Sequence, residues 1–113
     1  MIDAYASGRV VVDGASYEAD VIVFPDRVES NWWRKEGHRL QMEDLGTVVG
    51  YGPDVLVVGS GSLGMMDVPP STIEGLETRG ISVIVLRTSE ACTRFNALLA
   101  ERKRVVAALH LTC

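Results

Sequence analysis

The chain has 113 residues, 47% of them apolar and 23% charged, with a formal net charge of −4. That length holds one core, so a single domain over residues 1–113 is expected, and the acidic balance argues against nonspecific nucleic-acid binding, which needs a basic face. No apolar run approaches the roughly 20 residues that cross a bilayer. The start, Met1-Ile2-Asp3-Ala4-Tyr5, has the layout of neither a signal peptide nor a transit peptide, so no membrane span and a cytoplasmic location are expected.

The first elements are Gly8-Arg9-Val10-Val11-Val12, then Asp13-Gly14, then Ala15 to Phe24. Asp-Gly between two β-rich runs signals a hairpin, because both turn positions need positive φ. Pro25-Asp26 ends the second arm, and the first arm belongs to an edge or a satellite sheet. Residues 26–41 hold both tryptophans, several charges and His38, and read as a short strand or an irregular excursion. From Gln41 to Tyr51, Met42, Leu45, Val48 and Val49 recur at helical spacing, with Glu43 and Asp44 in the first turn. Gly50, Gly52 and Pro53 stop that helix.

Asp54 to Val58 is an unbroken apolar run, the pattern of a strand buried on both faces, and Gly59 to Met66 forms its loop. Pro69-Pro70 suits a first helical turn, and Ser71-Thr72-Ile73-Glu74 has the spacing of a capping box. The short helix that follows turns Ile73 and Leu76 inward and ends at Gly80. Ile81 to Leu86 is a second buried strand. Thr88 or Ser89 caps the next helix, whose inner face carries Ala91, Phe95, Leu98 and Leu99, and whose end carries Arg102 and Lys103. Val105 to Leu109 is the last strand. Strand–helix–strand–helix–strand with right-handed crossovers predicts a three-layer α/β fold: a central mixed, mostly parallel sheet, helices on its faces and an N-terminal β-hairpin.

Gly59-Ser60-Gly61-Ser62-Leu63-Gly64 spells Gly-x-Gly-x-x-Gly after a strand. A dinucleotide site needs that loop to open a helix at once, and here Met65 to Pro70 intervenes, so no nicotinamide or flavin cofactor is expected. A looser use survives. The loop amides with the Ser60 and Ser62 hydroxyls would hold a small anion, or the glycines would only permit a tight turn. Arg87-Thr88-Ser89 follows the second buried strand. In a parallel sheet it shares the strands' C-terminal edge with the glycine loop, where Arg87 would offer a fork donor and Thr88 a hydroxyl.

Cys92 falls in the first turn of its helix, where the dipole lowers a thiol's pKa, and with His110 it would form a nucleophile–base pair; the alternative is a small buried apolar residue. With Cys113 it makes two cysteines, read as reduced thiols. His110-x-x-Cys113 is half a metal site, but His38 alone supplies no second pair, so no metal is expected. In Trp32-Trp33-Arg34, neighbours on an extended segment point to opposite sides, leaving one tryptophan in and one out. An exposed tryptophan beside arginine suits an interface, or a lid over the core.

The assembled pattern resembles the small α/β domain family of the mitochondrial complex I assembly factor and the adipogenesis-associated protein, with many prokaryotic members. The residues that carry it are Gly8-Arg9-Val10 with Asp13-Gly14, Asp20-Val21-Ile22-Val23 with Pro25, Trp33-Arg34 to His38, Pro53 to Gly61, Gly80-Ile81, Thr88-Ser89-Glu90-Ala91, Asn96, and the tail from Val105 to His110. The resemblance implies a three-layer fold with a mixed sheet, and assembly or regulatory roles rather than a fixed set of catalytic residues.

Two functions are therefore expected to compete. The first is a non-enzymatic binding or assembly-type module, self-associating. It would meet an anionic ligand or a protein partner at the edge formed by Gly59, Ser60, Gly61, Ser62, Arg87 and Thr88, with Trp33 and Arg34 nearby. The second is a small enzyme on an anionic metabolite, with Arg87 as anchor and Cys92 or His110 as the reactive group.

Overall fold

A computed structural model describes residues 1–113. Eight strands form two sheets, and three α-helices accompany them. Strands β1 (Ile2–Ala6), β2 (Arg9–Val12) and β3 (Ala15–Tyr17) make an antiparallel meander. The β2–β3 turn is Asp13-Gly14, at φ 47° and 83°, the doubly left-handed conformation that the dipeptide predicts.

The larger sheet has the order β5-β4-β8-β6-β7, built from β4 (Val21–Val23), β5 (Val28–Glu29), β6 (Val55–Ser60), β7 (Ser82–Leu86) and β8 (Val105–His110). β6 runs parallel to β7 and to β8, while β4 runs antiparallel to β8 and to β5. The sheet is mixed, as expected. The expected single arm from Ala15 to Phe24 is instead two strands in different sheets, broken at Glu18-Ala19-Asp20. Val21, Ile22 and Val23 are all fully buried, which a hairpin arm with one wet face cannot provide, so they join the central sheet.

Alternation along the central strands makes two cores. Val57, Val105, Ala107 and Leu109 face one side, against Phe95 and Ala91 of α3 (Thr88–Ala100) and Ile2, Val10 and Val12 of the small sheet. Leu56, Val58, Val106 and Ala108 face the other, against Val48 of α1 (Gly46–Tyr51), Leu76 of α2 (Pro70–Thr78) and the segment carrying Trp32 and Leu40. β7 and β8 lie on opposite sides of β6, so two right-handed crossovers must put α2 and α3 on opposite faces. Each fully buried aliphatic side chain in these layers contributes about 1.5–3 kcal/mol. No helix is long and apolar enough to cross a membrane.

Helix boundaries differ from expectation at three places. The segment from Gln41 begins as a 3₁₀ turn over Met42–Leu45 before α1, where Asp44 accepts hydrogen bonds from the Lys35 and Gln41 amides, 2.9 and 2.8 Å. α2 starts at Pro70 with Pro69 as its cap, so Ser71 lies inside the first turn and makes no cap. α3 has Arg87, not Thr88 or Ser89, at its N-cap. The Thr88 hydroxyl is engaged elsewhere.

Candidate functional site

The C-terminal ends of β6, β7 and β8 meet at one end of the sheet, joined there by the N-terminal end of the antiparallel β4. β6 and β7 send their chains to opposite faces, and such a crevice is where open α/β sheets bind ligands. The glycine loop lies here, and its polar groups are bonded to the protein itself. Ser60 Oγ donates to the Leu86 carbonyl at 3.0 Å. Thr88 Oγ1 donates to the His110 carbonyl at 2.5 Å and accepts from the Gly61 amide at 2.9 Å. The Gly64, Met65 and Met66 amides reach the carbonyls of Gly61, Cys113 and Ser60, at 3.2, 3.1 and 2.9 Å. Ser62 Oγ accepts from Ser7 Oγ at 3.3 Å.

Two glycines serve close packing. A Cβ on Gly59 would come within 2.9 Å of Leu109 and of Thr88 Oγ1, so this glycine lets the start of α3 sit on β6. A Cβ on Gly61 would come within 2.5 Å of the Thr112 carbonyl oxygen, because residues 112–113 cross directly over the loop. Arg87 is exposed, its stem lying over Gly64. The loop opens no helix; α2 begins only at Pro70.

On the other side of the 111–113 tail lies a buried polar cluster. Asp20, just before β4, accepts from Arg34 Nη2 at 2.6 Å, from His110 Nδ1 at 2.8 Å and from the Leu111 amide at 2.8 Å. Burial raises the Asp20 carboxyl's pKa, but the hydrogen bonds from His110, Leu111 and Arg34 and the guanidinium charge outweigh it, and the net direction is down. Arg34 Nε donates to the Gly37 carbonyl at 2.9 Å, and its Cζ lies 4.8 Å from the Trp32 ring centre. Arg34 Nη1 and His110 Nε2 are buried and have no hydrogen-bond partner.

A cleft of about 240 Å³ opens beside this cluster, with Asp20, Trp32, Trp33, Arg34 and Thr112 in its wall. Trp32 is buried and donates from Nε1 to the Asp44 carbonyl at 2.9 Å, whereas Trp33 is 82% exposed, so the adjacent rings do point to opposite sides. The expected edge residues thus fall into two groups flanking the 111–113 tail: Gly59 to Ser62 with Arg87 and Thr88, and Trp33 with Arg34.

Cys92 and His110 make no pair. Cys92 lies in the core layer with Phe95 and Leu109, while alternation along β8 points His110 to the face of Val106 and Ala108. Burial pushes the Cys92 thiol up to about 12, which overrides the helix-dipole effect expected for a first-turn cysteine. His38, by contrast, stands beside His110, ring centres 5.5 Å apart.

Residues 2–110 match the family described as Protein of unknown function (DUF498/DUF598). The chain belongs to that family. A curated relative, the NADH dehydrogenase [ubiquinone] 1 alpha subcomplex assembly factor 3 of Xenopus tropicalis, is 27% identical over 111 residues. Those residues are 96% of this chain and 59% of the relative, so the chain spans about three fifths of that protein's length. Among solved structures, the conserved hypothetical protein PH1505 from Pyrococcus horikoshii OT3 is 29% identical with a TM-score of 0.84, covering 100% of this chain and 99% of its own. An outer membrane protein from Bartonella henselae is 27% identical with a TM-score of 0.85, covering 99% and 94%.

Asp20 was not among the expected site residues, and His38 entered only beside His110 and Cys113, as a metal ligand short of a second pair. Asp20 stood inside an expected strand, and His38 in a stretch without periodicity. The one available signal for Asp20 was an acid directly before the apolar run Val21 to Phe24, which is where a buried strand begins.

Proposed function

We propose that this chain is a non-enzymatic binding module of the assembly type, and that its partner is a protein docking on Trp33 and the Arg34 cleft. One observation carries the reading: a four-fifths-exposed indole on the rim of a cleft whose wall holds a buried guanidinium with a free Nη1. A tryptophan beside an arginine is the pair that interface hot spots favour. Nη1 has no acceptor within the chain and lies just under the cleft surface, so a partner's carbonyl or carboxylate would reach it only as the cleft wall gives way on docking. The 27% identity to an assembly factor adds support. Exposed Leu63 and Met65 on the neighbouring loop, with exposed Arg87 at the α3 N-cap, extend the same end of the sheet.

The Cys92 form of the enzyme reading has little to stand on, since a thiol near pKa 12 in the opposite core layer supplies no thiolate at neutral pH. A small anion would use the same Nη1 as a partner's carboxylate, so thermal shifts against carboxylates and phosphate esters separate the two.

The test compares wild-type and Trp33→Ala chains as baits, with bound proteins quantified by mass spectrometry. Losing a hot-spot tryptophan costs about 2 kcal/mol or more, about a 30-fold fall in affinity. Proteins held by the wild type and lost by the variant support the reading. Equal recovery by both baits overturns it. A second copy of the chain counts as a partner, and light scattering at rising concentration identifies it.

A further inference from the structure

His38, His110 and Cys113 come from a loop, a strand end and the tail, yet a ligand atom of each lies within 4.8 Å of the others. Three features set this cluster apart from a chance meeting of polar residues. First, the His110 side chain is only 6% exposed, and its Nε2 is buried with no partner. A buried nitrogen without a partner is costly and calls for one. Second, His110 Nδ1 is 2.8 Å from Asp20 Oδ2 and 3.1 Å from Arg34 Nη2, and because the guanidinium already donates to the same carboxylate at 2.6 Å, the shorter carboxylate contact sets Nδ1 as the donor. The ionised carboxylate accepts a hydrogen bond from Nδ1–H, and that tautomer of the neutral ring leaves the Nε2 lone pair free to ligate. A carboxylate behind a histidine is the arrangement that orients metal-binding imidazoles. The Asp20 charge also cancels that of Arg34 at 2.6 Å.

Third, each ligand's backbone is pinned. His110 ends β8, in register with Ser60 of β6. The His38 carbonyl accepts from the Asp67 amide at 2.7 Å, and the Cys113 carbonyl from the Met65 amide at 3.1 Å. The His38 and Cys113 side chains keep their freedom: His38 is exposed and Cys113 half-buried.

We propose that His38, His110 and Cys113 form a three-ligand site for a zinc-class transition-metal ion, with His110 Nε2 as the buried anchor and Asp20 as the residue that positions it. Imidazole and thiolate suit zinc, and tetrahedral ligand atoms about 2.0–2.3 Å from the ion stand about 3.3–3.7 Å apart. Closing from within 4.8 Å needs movements of about 1 Å, which rotation of the two freer side chains provides. Cys113 gives its thiol proton to solvent as the ion binds. The fourth position is left to water or to an oxygen of a partner. The site does not rest on the docking reading above, and either can fail alone.

The experiment titrates the reduced, metal-stripped chain with Co²⁺, whose thiolate charge-transfer and visible d–d bands report a low-coordinate site with sulfur. Saturation by one equivalent and displacement by Zn²⁺ are expected. Cys113→Ser should abolish the charge-transfer band, and Cys92→Ser should leave it. His38→Ala should weaken binding by at least the 10–100-fold typical of supporting residues. His38 is exposed and Cys113 half-buried, so both variants should keep the wild-type circular dichroism. A chain that develops no thiolate–cobalt band overturns the proposal. So does a band that survives Cys113→Ser, or an affinity unchanged by His38→Ala.

Discussion

Gly61→Ala tests whether the glycine loop exists to let the tail cross it. Gly61 has φ +112°, a backbone that L side chains rarely adopt, and its added Cβ would lie 2.5 Å from the Thr112 carbonyl oxygen and 2.7 Å from the Cys113 carbonyl carbon. Both obstacles are main chain, so no rotamer change relieves them. Forcing an alanine into such a conformation costs about 1–3 kcal/mol, and overpacking against backbone a further 1–3 kcal/mol or so. A loss of about 4 kcal/mol is therefore expected. For 113 residues the unfolding entropy is about 240 cal/mol/K, so the melting temperature should fall by about 17 °C. Gly64→Ala is the control. Its φ is +71°, but it is exposed and its nearest neighbour is the flexible Arg87 stem at 3.4 Å, so about 1 kcal/mol and about 4 °C are expected. Calorimetry on both variants without any ligand decides the matter. A Gly61→Ala loss no larger than that of Gly64→Ala would refute the tail-crossing role and return the loop to the ligand reading.

Other perturbations follow from the same contacts. Asp20→Asn removes one partner of a buried ion pair and should cost about 3 kcal/mol at neutral pH, read by urea unfolding. Because the folded Asp20 pKa is lowered, its contribution is present above the unfolded value near pH 4 and is lost as pH falls through the folded pKa; the variant's acid limb of stability against pH should be flatter than the wild type's. At mildly alkaline pH a limiting alkylator should label half-buried Cys113 and spare Cys92, whose buried thiol stands near pKa 12, until denaturant is added; early Cys92 labelling by mass spectrometry would contradict its packing. Asn96 joins α3 to β1 through two hydrogen bonds with the Ile2 backbone, 2.8 and 2.7 Å, so Asn96→Ala should cost about 2 kcal/mol and speed amide exchange in β1.

Much of the fold was legible because its signals are local. Val55 to Val58 and Val105 to Leu109 are apolar without alternation, which only strands buried on both faces require, and Asp13-Gly14 states its turn chemistry outright. The helix caps failed where a tertiary partner or a neighbouring proline outbid a local rule. The Thr88 hydroxyl is a good cap in isolation, but here it serves the buried His110 carbonyl and Gly61 amide, whereas amides at a helix start can reach water. Ser71 lost its place because Pro69 and Pro70 carry the φ that starts a helix two residues earlier.

The polar cluster was illegible for a different reason, and the register of one strand pair explains it. β4 pairs antiparallel with β8, Val21 opposite Leu109 and Ile22 opposite Ala108, so extending that ladder by one residue sets Asp20 opposite His110. Read as part of a hairpin arm, Asp20 would have stayed in the small sheet. The break at Glu18-Ala19-Asp20 moves it across 90 residues of chain to the one histidine that ends a buried strand. Arg34 and His38 arrive by loops that carry no periodicity at all. The strand that changes sheets therefore does two things at once: it buries Val21 to Val23 on both faces, and it delivers the carboxylate that fixes the His110 ring. A variant that kept β4 in the hairpin would lose the cluster along with the core, which is why neither could be read without the other.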